Sequence, residues 1–414
     1  MQFGSSLTDQ ILSVAGMFLA NIVLARVQSK QEYGMFALSY SIYTFLTGLH
    51  NAAILEPYSI HGPGRYHGYF PEYSRVMSGT NAFFGCVLSA LLFLTWAVLR
   101  LTVPSLASRS LLGLALSVSV LLTATFVRRT LYLRGRPDLA AKFSIAFFIA
   151  LVLLLFFSVR LGLLNGLSVF LISAASWIVA GISIRSELPR ITGDRTFHTH
   201  EPNHWSEHWK YARWVLATAC VFQLTNQGYY WLVAGFLSLK EVGELRAMYI
   251  LTAPIDQIFV ALSLLILPMM AFRHASRQGS QLVSLWKFYG VFTCGVAFLY
   301  AIAIWFMRKP LMHTVYGGKF DDVATLLGTL ALLPLIMAVG NSLNIALKSI
   351  ERPDVVLCAY LASGLATFAM GIPLVMHFGL RGAVYGMLCS AGVYTATMLI
   401  GFLVRPYPNA AIGA

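Results

Sequence analysis

Apolar runs about 20 residues long recur from one end of the 414-residue chain to the other. A run of this length lets an α-helix cross the hydrocarbon core of a bilayer. The runs do not alternate between apolar and polar residues, as the strands of a membrane β-barrel do over about 10 positions. The chain is therefore expected to cross a membrane many times, as helices.

The composition supports the same expectation. Hydrophobic residues make up 58% of the chain and charged residues 11%, and the mean hydropathy is +0.72. A soluble domain carries about 25% charged residues, so no separate soluble domain is expected. The net charge of +13 comes from basic residues at helix ends and in short loops, where they set topology and meet anionic lipid headgroups. Nucleic acid is not expected as a partner.

The apolar runs predict an all-α polytopic membrane protein with about twelve transmembrane helices, in two parallel six-helix halves around a central cavity. The predicted helices are about 7–27, 34–56, 77–99, 109–132, 140–160, 163–184, 211–236, 244–271, 286–307, 323–347, 356–377 and 380–404. We assign 1–184 to the N-terminal half, 185–210 to a cytoplasmic linker and 211–414 to the C-terminal half. Asn51, Glu56, Pro57 and a turn at Gly62-Pro63-Gly64-Arg65 are expected to close the first hairpin on the cytoplasmic side.

Short stretches that occur twice in the same order indicate that one half duplicates the other. Gly135–Asp138 and Glu351–Asp354 both contain Arg-Pro-Asp between two apolar runs. Further matches, at nearly the same offset, pair 24–26 with 233–235, 32–34 with 241–243, and 161–163 with 378–380. Internal repeats of several helices are typical of transporter folds.

The distribution of Lys and Arg predicts the orientation of the chain. An even number of helices per half places both halves, and both termini, on the same side of the membrane. Ten of the 29 basic residues lie in 128–142 and 185–213, which are then inner segments. Because cytoplasmic loops carry an excess of basic residues, both termini are expected to be cytoplasmic.

Neither a metal site nor a cofactor is expected. The five cysteines all lie in apolar runs without Cys-x-x-Cys spacing and are interpreted as packing residues. His204 and His208 lie one helical turn apart in the predicted linker, but no full ligand set accompanies them. A polar segment leading into an interfacial helix explains them better.

Polar side chains recur on single faces of four predicted helices, because residues three, four and seven positions apart share a helix face. The stripes are Gln223, Asn226, Gln227 and Tyr230; Asn341, Asn344 and Lys348; and, at the related positions of the first half, Val14, Met17 and Asn21 with Thr125, Arg128 and Tyr132. One such residue alone is explained by hydrogen bonding between helices, worth about 0.6 kcal/mol. Four stripes at related positions favour a shared cavity.

Acidic residues within the apolar runs are rare, and Asp256 is the one predicted to lie deepest. It follows Pro254, which is expected to break the helix locally and free carbonyl oxygens. Ion coupling by H⁺ or Na⁺ is one hypothesis for Asp256; a partner for a cavity Arg and a protonated core group are the others. Asp9 and Glu56 lie near helix ends and are expected at the membrane interface.

Three segments resemble a known family: Leu24-Ala25-Arg26, the stretch Glu32-Tyr33-Gly34-Met35-Phe36-Ala37-Leu38, and the Arg-Pro stretch after the fourth helix. They look like the O-antigen (Wzx-type) flippases of the multidrug/oligosaccharidyl-lipid/polysaccharide superfamily. Two branches of that superfamily match less well. The lipid II flippases typically have fourteen helices, and the multidrug (MATE) branch often carries an acid deep in helix 1, whereas Asp9 lies near the start of its helix.

The resemblance implies a bacterial inner-membrane protein that moves a polyprenyl-pyrophosphate-linked oligosaccharide between leaflets. Its expected partners are that substrate, membrane lipids, and H⁺ or Na⁺. A pyrophosphate needs cations, and the candidates are Arg128, Lys348, Arg26 and Arg246. Two other functions remain open: a MATE-like cation-coupled antiporter, and a membrane glycosyltransferase or polymerase of the same pathway. The second is disfavoured because the predicted outer loops are short and carry few acids, so no enzymatic activity is expected.

Overall fold

The computed structural model describes residues 2–64, 70–102, 108–187 and 204–404. Every long regular element within those ranges is a helix. In chain order the helices are α1 (Gln2–Val27), α2 (Lys30–His50), α3 (Glu56–Gly64), α4 (Phe70–Thr102), α5 (Arg109–Leu133), α6 (Pro137–Arg160), α7 (Gly166–Ser183), α8 (His204–Phe236), α9 (Leu239–Ala275), α10 (Gly279–Tyr316), α11 (Ala324–Leu330), α12 (Leu333–Ser349), α13 (Pro353–Ala369) and α14 (Gly371–Val404).

The expected all-α polytopic membrane fold is confirmed. Within the described residues, nine helical segments are long and apolar enough to cross a membrane, and α13 is a shorter apolar helix. Each of the twelve predicted helices corresponds to a helical segment. The last two predicted helices meet inside α14, where Gly379 (φ 59°, ψ −136°) interrupts the helical backbone. That backbone conformation is open to Gly because Gly has no Cβ.

The chain divides into two compact units, Met1–Cys220 and Val221–Ala414, with the boundary inside α8. In the N-terminal unit α5 packs against α2, α4 and α7. In the C-terminal unit α12 packs against α9, α10 and α14. These two central helices carry the two polar stripes that were predicted to be related, with Arg128 on α5 and Asn341 on α12.

The duplicated Arg-Pro-Asp stretches form the same corner in each unit. Gly135 (φ 67°) and Glu351 (φ 59°) both adopt the left-handed conformation that ends a helix. The next N–H in each corner, that of Arg136 or Arg352, donates to a carbonyl five residues back at 2.9 Å. Each Arg then donates to the Asp two positions later, with Nε–Oδ1 distances of 3.0 and 2.9 Å. The two stretches are therefore alike in backbone geometry as well as in sequence.

The first hairpin differs from its prediction, because Gly62, Pro63 and Gly64 of the expected turn are still helical. Arg65 lies outside the described residues. Asn51–Leu55 form a π-helical turn, and α3 then continues to Gly64. The residue four positions after Ala53 is Pro57, which has no N–H to donate to the Ala53 carbonyl. Nε2 of His208 donates to that oxygen instead, at 2.7 Å.

Two further hydrogen bonds hold the start of α8 against α4 and α3. The Tyr73 hydroxyl lies 3.3 Å from Nδ1 of His208, and the Tyr211 hydroxyl donates to Oε1 of Glu56 at 3.1 Å. Burial lowers the pKa of His208, which favours the neutral imidazole that these contacts need. Residues 188–203 of the predicted linker lie outside the described residues, whereas 204–210 are already helical.

Candidate functional site

A buried carboxylate and a guanidinium form the most polar cluster of the N-terminal unit. Asp9 of α1 is fully buried and accepts from Nε of Arg128 at 3.0 Å and from its Nη2 at 2.7 Å. Tyr132, one turn along α5, donates its hydroxyl to Oδ2 of Asp9 at 2.7 Å, and Ser144 of α6 donates to Oδ1. Four donor groups therefore share one carboxylate, which compensates the cost of burying its charge.

The two partners of this ion pair differ in exposure. The Asp9 side chain is 0% exposed and that of Arg128 is 18% exposed. A guanidinium has five N–H donors, and Asp9 uses two nitrogens on one edge of it. The arrangement is an ion pair in which the acid is fully buried and the guanidinium is partly exposed.

Asp9 was expected at the membrane interface, and the structure shows in addition that its side chain is fully buried within the unit. This burial could not be predicted from the position of Asp9 near the end of α1, because the residues that bond to it lie on α5 and α6, more than 100 positions away in sequence. One available signal was Arg128 itself, because a charge inside an apolar helix needs a partner of opposite sign. The predicted stripe did pair Arg128 with Tyr132, and both contact Asp9.

The C-terminal unit contains a cavity of about 290 Å³ between helices α8, α9, α12, α13 and α14. Its lining includes three residues that were predicted as functional: Asn226, Asp256 and Asn341. The other lining residues are Phe222, Thr225, Tyr229, Tyr249, Thr252, Val260, Leu333, Pro334, Met337, Tyr360, Ser363, Met387, Ser390, Ala391 and Tyr394. Among these residues Asp256 supplies the negative charge and none is basic.

Several polar groups of this cavity are already occupied by the protein. The Tyr229 hydroxyl bonds to Oγ of Ser390 at 2.8 Å, and Nδ2 of Asn344 donates to the Tyr394 hydroxyl at 3.1 Å. These contacts fix two of the four tyrosine rings. Asp256 and Asn341, by contrast, make no ion pair or side-chain hydrogen bond with any described residue. They are the groups through which a ligand can be bound.

The expectation that Pro254 breaks its helix is wrong, because α9 runs through it without interruption. The side chains around Pro254 bind nearby carbonyl oxygens: Thr252 donates to that of Tyr249, and Tyr300 donates to that of Leu251 at 2.5 Å. The carbonyl that lacks a helical donor because of Pro254 is that of Ile250, four positions back, and these two hydrogen bonds reach its neighbours.

The remaining predicted residues lie in different surroundings. Asn21 is buried and donates to the Met17 carbonyl of its own helix at 2.8 Å. Gln227 and Asn344 are each 9% exposed, and each has a side-chain oxygen without a hydrogen-bond partner among the described residues. The guanidinium of Arg246 is buried over the Tyr230 ring, 5.9 Å from its centroid.

Two of the four predicted phosphate ligands, Arg26 and Lys348, are exposed, and Gln223 is half-buried. Within each unit taken separately, Arg128 lies in the Asp9 cluster and neither Arg246 nor Lys348 lines the C-terminal cavity. The four tyrosines of that cavity were not singled out from the sequence. Aromatic residues are common in every apolar run of this chain, so nothing in the pattern distinguished these four.

Comparisons with known proteins place the fold. No protein-family model matches the sequence, and no curated protein matches it either. Solved structures do match: an inward-facing multidrug resistance transporter of the MATE family in the MOP superfamily has a TM-score of 0.78 at 11% identity. That match covers 95% of this chain and 93% of the other.

Two further structures extend the comparison. The lipid II flippase MurJ, in an inward closed conformation, has a TM-score of 0.73 at 14% identity over 98% of this chain and 88% of its own. A MOP superfamily transporter from Pyrococcus furiosus Vc1 has a TM-score of 0.66 at 13% identity, with 97% and 92% covered. At these identities the likeness shows the fold, which is that of the MATE transporters and the MurJ flippase.

Proposed function

We propose that the protein is a flippase that moves a polyprenyl-pyrophosphate-linked oligosaccharide across the bacterial inner membrane for the synthesis of a surface polysaccharide. The observation that carries this proposal is the Arg128 guanidinium, held inside an apolar unit by Asp9 and still 18% exposed. A flippase of this class must accept a strongly anionic headgroup while the lipid tail stays in the bilayer. An arginine offers a planar fork that matches a phosphate.

Asp9 stabilises the buried part of Arg128 when no substrate is bound. An unpaired Arg costs about 2.5–3.5 kcal/mol at the centre of a membrane helix on insertion scales, and less near a helix end such as the one where Arg128 lies. The carboxylate of Asp9 removes that cost in the resting protein, and a diphosphate can take its place by competing for the same guanidinium. Anion exchange at Arg128 is therefore the binding step that we propose.

Support also comes from the fold, which is shared with MurJ, whose description is that of a lipid II flippase. The short segments that resemble the O-antigen flippases point to a glycan carried on the same kind of lipid. Transport would use alternating access, as is general for proteins built from repeated halves. In this proposal both termini face the cytoplasm and Arg128 acts on the cytoplasmic side.

The test is binding of farnesyl diphosphate, a short polyprenyl diphosphate, to the purified protein. Charge-assisted hydrogen bonds contribute about 1.5–3 kcal/mol each, so Arg128→Ala should weaken binding by roughly ten- to a hundredfold. Arg128→Lys should restore part of the affinity, because a lysine supplies the charge without the fork. Farnesol, which lacks the diphosphate, should bind equally weakly to all variants.

Arg129→Ala is the matched control, because Arg129 is the next residue on α5 and contacts Asn51 at 3.4 Å and not Asp9. Equal, small losses in Arg128→Ala and Arg129→Ala would overturn the assignment of Arg128. Reconstitution into liposomes, with and without a proton or sodium gradient, then measures whether a lipid-linked oligosaccharide is moved at all.

A second candidate function is cation-coupled antiport of an organic cation. It is favoured by the cavity of the C-terminal unit, where Asp256 and four tyrosines meet without a basic lining residue. Carboxylates and aromatic faces both attract organic cations. In that function Asp256 would bind the cation, and the Arg128 variants would leave transport unchanged.

A further inference from the structure

The C-terminal cavity has a composition that an ion site alone does not require. Four tyrosine rings, Asp256 and Asn341 line one space of about 290 Å³. An inorganic cation needs a compact cage of oxygen atoms. A cavity walled by aromatic rings and fitted with a few hydrogen-bonding groups is instead typical of a site for a small organic molecule.

We propose that this cavity binds one sugar ring of the transported glycan and that it excludes acidic sugars. The inference rests on the proposed function, because it assumes that the substrate carries a glycan. Three observations support it: the tyrosine rings, the unoccupied side chains of Asp256 and Asn341, and the absence of a basic residue from the lining.

The aromatic walls suit a sugar ring because its C–H-bearing face is apolar and its edge carries hydroxyl groups. Hydrogen bonds hold the hydroxyls of Tyr229 and Tyr394 in place, the second accepting from Nδ2 of Asn344, and the Tyr394 ring lies 5.1 Å from that of Tyr360. Fixed rings lose little entropy when a ligand packs against them. They give the cavity a preformed apolar surface.

The polar side chains of the cavity can form hydrogen bonds with the hydroxyl groups at the edge of the same sugar ring. A carboxylate accepts hydrogen bonds from two hydroxyls at once, and an amide both donates and accepts. Asp256 and Asn341 have these capacities unused by the described part of the protein. Asn226 adds a side-chain oxygen, since only its Nδ2 is bonded to the protein, at 2.9 Å to the Phe222 carbonyl.

The size and the charge of the cavity further restrict the class of ligand that can bind. Its volume of about 290 Å³ lies just below the range of about 300–1,000 Å³ seen for drug-sized ligands, so it admits a single ring and not a whole oligosaccharide. A sugar carboxylate would face Asp256 with no cation among the lining residues to separate the two charges. Like charges in contact disfavour a ligand strongly.

The experiment compares methyl β-D-glucoside with methyl β-D-glucuronide, which differ by a carboxylate in place of the C6 hydroxymethyl group. Binding to the purified protein in lipid nanodiscs at pH 8 is measured by saturation-transfer NMR, which detects millimolar affinities. We expect the glucoside to bind and the glucuronide to bind at least tenfold more weakly. This comparison uses the unaltered protein, so no variant has to fold for it to be decisive.

Variants then test the cause of the discrimination. Asp256→Asn should bring the affinities for the two sugars to within about threefold of each other, because it removes the repelling charge and keeps the shape. Asp354→Asn is the control, because it makes the same chemical change at an exposed residue that is paired with Arg352. It should leave the tenfold difference between the affinities for the two sugars unchanged. If Asp256→Asn does not fold, Asn341→Asp should instead widen the difference.

Other outcomes overturn the inference. These are no glucoside binding up to 100 mM, equal binding of both sugars to the unaltered protein, or tetraethylammonium binding more than tenfold tighter than the glucoside. The last outcome would assign the cavity to an organic cation. Sugar binding is measured without any diphosphate, so it can fail while the Arg128 results stand, and the reverse failure is equally distinguishable.

Discussion

At the scale of single residues, Asp9 shows how one side chain can determine the properties of another. Arg128 by itself is a cation inside an apolar helix, and Arg128 beside Asp9 is a neutralised pair with 18% of the guanidinium side chain still exposed. The sequence was sufficient to predict Arg128 and Tyr132 as members of one polar face. It was not sufficient to predict Asp9, because the contact joins helices far apart in sequence.

Asp9→Asn tests this pairing, because it preserves the shape of the side chain and removes its charge. Breaking a buried pair costs about 3–5 kcal/mol, and the partial exposure of Arg128 should reduce the loss to about 2–3 kcal/mol. Ser144→Ala removes one neutral donor and should cost about 1 kcal/mol. Thermal unfolding in detergent micelles measures both.

The same Asp9→Asn variant should bind farnesyl diphosphate several-fold more tightly, because it removes the carboxylate that competes for Arg128. Stability and affinity then change in opposite directions. A loss of affinity as large as that of Arg128→Ala would show that Asp9 holds the site open and does not compete for it.

At the scale of helices and corners, the apolar runs predicted the positions of the helices because run length and helix length follow from the same bilayer thickness. The predictions that were wrong concern prolines. Pro57 and Pro254 suggested a turn and a break, but both lie within continuous helical chain. Local sequence does not show that His208, Thr252 and Tyr300 supply hydrogen bonds to carbonyl oxygens around these prolines.

The two Arg-Pro-Asp corners allow a matched test, since the same left-handed position holds Gly135 in one unit and Glu351 in the other. A residue with a Cβ pays about 1–2 kcal/mol in this conformation, and Gly loses about 0.5–1 kcal/mol more entropy on folding. Glu351→Gly should therefore raise the free energy of unfolding by up to about 1 kcal/mol. Gly135→Ala should lower it by a similar amount, since nothing lies within 4 Å of the added Cβ and the backbone strain alone acts.

Thermal unfolding of these two variants measures the change in the free energy of unfolding. The change is expected to have opposite signs in the two variants. A stabilising Gly135→Ala would show that the corner relaxes out of the left-handed conformation when Gly is removed.

At the scale of the whole molecule, the order of the helices could be predicted, as could a cavity shared by Asn226 and Asn341, whereas the tyrosines of its lining could not. Asn226, Asp256 and Asn341 were each selected as polar residues in apolar helices, and the structure brings all three into one lining. Their predicted roles differed, because the sequence does not show which helices of one unit converge. The four tyrosines were not selected, because aromatic residues are common in every apolar run.

The predicted orientation of the chain is tested by labelling single cysteines in intact cells, in a background without the five native ones. Thr192→Cys, in the linker and outside the described residues, should resist a membrane-impermeant maleimide until the cells are permeabilised, because that segment is predicted to be cytoplasmic. Lys319→Cys lies in a predicted outer loop, where the side chain is exposed, and should react at once. Ready labelling at position 192 in intact cells would invert the topology.

The hydrogen bond from His208 to the Ala53 carbonyl has a consequence for the order in which the protein is made. The two residues are 155 positions apart, and a ribosome adds about 5–20 residues per second, so roughly eight to thirty seconds separate their synthesis. Until His208 has been made, the Ala53 carbonyl oxygen lacks this hydrogen bond. The N-terminal unit is thus completed from its far end, and a nascent chain that stalls before His208 exposes an unfinished π-helical turn.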